Sequence, residues 1–154
     1  MKPEPPIDPA AAHRWFSVEY FNRVWTLLDQ PTRTPEEEEL MISQSHASLA
    51  HWRERPDCGQ RELSIGWWQL SRVYAVVNQA VPATHYAQLS LEAATGQPPF
   101  FIGYAHEALA RAAKMSGDTP GMIEHFEKAQ SFAALVDDAQ ERQWLESDLA
   151  SLRK

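Results

Sequence analysis

Glycine, cysteine and basic residues are all scarce in this 154-residue chain, and each shortage closes a class of function. Six scattered glycines leave no glycine-rich loop to cradle a phosphate and no glycine-framed serine nucleophile. The single cysteine, Cys58, cannot form an internal disulfide. It lies between Arg55 and Arg61 in a loop flanked by Pro56 and Gly59, the setting of an ordinary loop thiol. Fourteen basic side chains against twenty-one acidic ones give a formal charge of −7, which opposes the phosphate neutralisation behind nucleic-acid binding and disfavours anionic membranes. No apolar run approaches the roughly 18 residues of a spanning helix, and the first nine residues lack a signal-like apolar stretch. A cytoplasmic, reducing location is expected. Strand signals are nearly absent, because β-branched clusters are short and never alternate cleanly with polar residues.

What is present is helical periodicity broken by proline and glycine. Residues 1–9 carry four prolines and read as a flexible tail, with Asp8 and Pro9 set to begin a helix. Residues 10–154 read as a single domain, long enough to bury about two thirds of its unfolded surface. Trp15, Val18, Trp25 and Leu28 mark a first helix, which Pro31 stops. Thr34, Pro35 and Glu36 to Glu39 form a strong start for a second helix reaching about Arg53. Further helices follow at about 61–77, 81–95, 100–115 and 119–136, and Gly117 suits a helix stop of positive φ. The segment 138–152 reads as a capping helix with Leu145, Leu149 and Leu152 on one face. The expected architecture is all-α: about seven helices in hairpins spanning about 10–54, 61–95 and 99–136, closed by that cap.

Three second helices share one spacing: Met41, Ser45, Ser48; Ala83, Ala87, Ser90; and Met122, Phe126, Ala129. Large residues precede them by sixteen, namely Trp25, Trp67 and His106. Such self-similarity marks stacked hairpins that cannot bury their apolar faces alone. Trp67, Leu70, Ser71 and Tyr74, followed by Ala83, Ala87 and Ser90, and then Leu109, Ala110, Gly117, Phe126 and Ala129, resemble the tetratricopeptide repeat. The two hairpins lie 106 − 67 = 39 residues apart, against a family period of about 34. The five extra residues fall at Gly96 to Phe100, between hairpins.

The resemblance implies a right-handed array whose concave wall of first helices binds a partner chain. Its registration selects Ile65, Trp68, Arg72, Ala75 and Val76, then Tyr104, Glu107, Arg111, Lys114 and Met115. Trp68 and Tyr104 offer rigid anchors, and Arg72 and Arg111 offer planar donors for a carboxylate. Asparagines are missing from the places where relatives clamp a terminal carboxylate. A noncatalytic protein or peptide-binding scaffold is the leading expectation, with Trp68, Arg72, Tyr104, Glu107, Arg111 and Lys114 as the partner-binding residues. The structural alternative has Trp68 packed between hairpins and Arg72 paired with Glu107 inside the protein.

Two other functions stand beside it. One is self-association into a homodimer through the Leu145, Leu149, Leu152 stripe and Trp144. The other is a small-molecule or metal-binding bundle around His46, His51 or His106. His46 and His51 lie five residues apart, about 140° around a helix, whereas a ligand pair wants three or four. His106 fills a packing slot, and His85 and His125 sit beside packing stripes. No catalytic residue, no metal ligand and no cofactor is expected.

Overall fold

Proline decides where four of the helices begin. Pro9, Pro35, Pro99 and Pro120 occupy the first or second helical position, where a missing N–H costs nothing. The computed structural model describes residues 6–154; the rest of the expected tail, residues 1–5, lies outside the described residues. Seven helices are seen among the described residues, and no strand. Within each of its compact units the chain packs as all-α hairpins. Contacts group into two compact units, Met1–Gly59 and Gln60–Lys154.

The first unit is the hairpin of α1 (Pro9–Leu28) and α2 (Pro35–Arg53). Asp8 caps α1 by accepting the Ala10 N–H at 3.0 Å. Thr34 and Glu37 form a reciprocal capping box on α2: the Thr34 Oγ1 accepts the Glu37 N–H at 3.2 Å, and Glu37 accepts the Thr34 N–H at 2.8 Å. The last turn of α1 carries no basic residue, so Arg33 folds back from the loop and donates to the Leu27 and Gln30 carbonyls. Val24, Met41 and Leu49 fill the core between the helices.

The second unit holds α3 (Gln60–Val76), α4 (Ala80–Ala94), α5 (Pro99–Met115), α6 (Thr119–Ala133) and α7 (Ala139–Leu152). α3 pairs with α4 and α5 with α6, while α5 also packs on α3 and α4. α7 lies on α5 and α6. Alanines at 83, 87, 94, 105, 110 and 129 are fully inaccessible, so the helices approach closely without large side chains between them. Leu145, Leu149 and Leu152 are buried with Phe126, Ala129 and Ala133. Gly117 ends α5 with φ +73°, as its spacing predicts. Asn78 ends α3 with φ +61°, the left-handed role in which Asn is the next-best residue after Gly.

A hydroxyl reports how the first two hairpins are registered. Ser48 Oγ donates to the Ser17 carbonyl at 2.7 Å, and Ser90 Oγ donates to the Ser64 carbonyl at 2.9 Å. In the third hairpin the corresponding second-helix residue is Ala129, whose carbonyl lies 3.7 Å from where a Cβ on Gly103 would stand. Ser17, Ser64 and Gly103 are therefore equivalent, and so are the residues three places on, Tyr20, Trp67 and His106. This corrects the expected lead residue of the first hairpin from Trp25 to Tyr20. Ring stacking agrees: Tyr20 stacks on His51 as His106 stacks on Phe132, each ring three residues beyond the triplet. The shift has a physical cause, since the α1–α2 loop runs 29–34 where the other hairpins use 77–79 and 116–118, and α2 begins one turn earlier relative to its triplet.

Candidate functional site

On successive first helices, the positions 39 residues apart point at one another. Glu107, in the middle of α5, is completely inaccessible. Its equivalent on α3 is Trp68, and the Trp68 Nε1–H donates to Glu107 Oε2 at 3.0 Å. Arg72 and Arg111 are likewise equivalents, and both turn to the same carboxylate. Arg111 Nε donates to Glu107 Oε1 at 2.9 Å, its Nη2 adds a second bond to that oxygen, and Arg72 Nη1 lies 3.5 Å away. A buried carboxylate needs such compensation, because desolvating it alone would cost several kcal/mol. Tyr104 lies one turn before Glu107 and meets Trp68 edge-to-face, with centroids 5.0 Å apart.

The third wall of the site is α7, whose polar side periodicity alone treats as solvated. Asp148 Oδ2 accepts from the Tyr104 hydroxyl at 2.9 Å, and Asp148 Oδ1 lies 3.5 Å from Arg72 Nη2. Ser151 Oγ accepts from Arg111 Nη2 at 3.4 Å, and Lys114 Nζ donates to the Leu152 carbonyl at 2.7 Å, capping α7. Burial, followed by Asp148 and then Glu107, pushes the Tyr104 phenol far above its ordinary range, so it acts as a fixed donor. Two arginines balance two acids within one network.

Five of the six sequence-selected residues, Trp68, Arg72, Tyr104, Glu107 and Arg111, thus meet in one place, while Lys114 reaches only the end of α7, and several of the five turn their polar groups toward each other. Trp68 and Glu107 are buried; Arg72 and Arg111 keep about a fifth of their side chains accessible, 20% and 18%. Ile65, Ala75, Val76 and Met115 are half-buried, and Lys114 is exposed. Asp148 and Ser151 were not singled out by sequence, and Trp144 was selected only as a self-association contact. Their only shared signal was spacing: they recur at four and three residues, which places them on one side of α7.

No known protein family matches the chain, and no curated protein or solved structure matches it.

Four of the six histidines form two pairs. His13 and His51 join by their Nδ1 atoms at 2.8 Å, and His106 and His125 join at 3.1 Å with rings stacked at 23°. Burial, then the neighbouring His125 and Lys128, push His106 down to about 4, and burial also lowers His125. With both rings neutral, His106 and His125 share one hydrogen between their Nδ1 atoms. Among the described residues, no three of His, Cys, Asp and Glu converge as a metal site would require. Near Cys58, the Arg55 guanidinium is held bidentate by Asp57 and lies over the Trp52 ring.

Proposed function

We propose that the chain is a noncatalytic tetratricopeptide-like module that binds a peptide or partner helix along the α3, α5 and α7 side of its second unit. The observation that carries this reading is Trp144, which keeps 54% of its surface exposed one turn from Asp148 on the same side of α7. An exposed tryptophan beside an incompletely satisfied arginine, Arg72, has the composition of a binding hot spot. Arg72 is the natural contact. Its Nη1 is buried without a hydrogen bond, and its ion pairs to Glu107 and Asp148 are loose at 3.5 Å. A ligand carboxylate competing with Asp148 for Arg72, together with an apolar side chain on Trp144, is the complementary chemistry. Reversing the arginine charges is a poor test, because it would leave Glu107 buried among like charges.

The test is site-specific photocrosslinking in the native lysate. A photoreactive residue replaces Ala75 or Met115 on the first helices, or Val81 on α4 as the opposing control, with and without Trp144→Ala. Adducts from the two first-helix positions that vanish with Trp144→Ala support the assignment. Adducts of equal yield from Val81, or adducts indifferent to Trp144, overturn it.

A further inference from the structure

The opposite flank of α7 carries a second feature. Each earlier first helix of this unit is covered by the helix that follows it, α3 by α4 and α5 by α6. Among the described residues, α7 packs on α5 and α6 and no helix covers its other flank. Between α6 and α7 lies an open cleft of about 260 Å³, floored by Phe126, Ala133 and Leu149 and bordered by Gln130 and Ala134 on α6. Its α7 border is Glu146, Ala150 and Arg153, all exposed. The spacing of four and three residues puts these three on one stripe, away from Trp144. The Arg153 guanidinium is held over the Phe126 ring, 4.7 Å from its centre, so the cation is fixed at one end of the cleft. The carboxylate of Glu146 marks the other end.

This stripe is complementary to itself. An acid and a base stand seven residues apart, about 10 Å along the helix, on either side of the small Ala150. Running a second α7 antiparallel about a two-fold axis between residues 149 and 150 brings Glu146 of each copy against Arg153 of the other. The axis passes beside Ala150, where two helices can come close. An antiparallel second helix is also what α3 and α5 receive from α4 and α6. We infer that the cleft between α6 and α7 is an isologous dimer site, in which α7 of a second copy packs antiparallel along the Glu146, Ala150 and Arg153 stripe. Leu145 and Leu152 take no part, because both are buried against α6 within one chain. The interface is Glu146, Ala150 and Arg153 with the exposed edge of α6, a small contact consistent with micromolar association.

Sedimentation equilibrium of the full chain from micromolar to millimolar concentration tests this. The wild type is expected to pass from 17.5 kDa to twice that mass. Glu146→Arg faces Arg153 of the other copy and should weaken the dimer by about tenfold or more, as should Arg153→Glu. The double swap, Glu146→Arg with Arg153→Glu, restores both pairs and should recover association to within about threefold. Circular dichroism checks that each variant keeps its helicity, and Glu146→Arg leaves the Arg153–Phe126 contact in place. A 17.5 kDa monomer at every concentration, alone or carrying a different chain, overturns the inference. So does a dimer indifferent to both single changes, or one that the double swap fails to restore.

Discussion

The second and third hairpins place different chemistry in equivalent slots. Where α3 and α4 meet, Ser90 donates to the Ser64 carbonyl and Trp67 stacks on Tyr86, with centroids 5.6 Å apart and planes at 11°. Where α5 and α6 meet, Gly103 and Ala129 replace the serines, and His106 stacks on His125 at 5.3 Å and 23°. Both ring pairs are separated by nineteen residues, so the geometry is conserved while the forces change. One hairpin is joined by a hydroxyl and two large rings. The other relies on backbone proximity and two titratable rings, so it has less tolerance for added volume and for added protons.

The largest expected break is Gly103→Ala. The new methyl would stand 2.6 Å from Leu145 Cδ2 and 3.4 Å from Phe132 Cβ, and Leu145 is fully buried. Overpacking should cost about 3 kcal/mol, read as a lower denaturation midpoint in urea at unchanged slope.

The next effect separates the hairpins by pH. Unfolded His106 takes up its proton near pH 6.5, whereas the folded ring resists until about pH 4. Stability from this residue is therefore complete above pH 6.5 and is lost as pH falls toward 4. The loss should be about 2 kcal/mol, below the nominal linkage figure because the ring pair is partly hydrated. Glu124 opposes this shift, while Lys128 reinforces it. Replacing the pair with the rings of the other hairpin, His106→Trp with His125→Tyr, should flatten that part of the stability-versus-pH curve. An unchanged curve would remove the histidine pair as its cause.

The smallest effect is Ser90→Ala, which removes a buried hydroxyl from a carbonyl and should cost about 1 kcal/mol. If the melt does not change, the hydroxyl reports register without contributing to stability.

Helix positions were legible because their starts and stops are chemical: Asp8, Thr34 and Pro99 begin helices and Gly117 ends one, each acting within a few residues of its own place in the chain. Asn78 was less legible, since its positive φ uses a residue that sequence alone reads as ordinary. The register of the first hairpin was hidden by Trp25, a large residue at a convincing spacing, when the backbone contact of Ser17 determines it. The candidate site was half legible. Repetition brought Trp68, Arg72, Glu107 and Arg111 into view, but α7 enters through Asp148 and Ser151, and amphipathic patterning assigns such residues to solvent. Only tertiary contact shows that this helix has two polar flanks with different neighbours.

Glu107 also limits how the array can grow. Its carboxylate serves Arg72 from the preceding hairpin and Arg111 from its own, while the equivalent place one hairpin earlier holds an indole. Inserting another copy of either hairpin would therefore upset the count. A duplicated α3–α4 would bring an arginine with no carboxylate, and a duplicated α5–α6 a carboxylate with no tryptophan to bond it. Repeating either hairpin would therefore leave a buried polar group short of a partner, so the two hairpins are not interchangeable units.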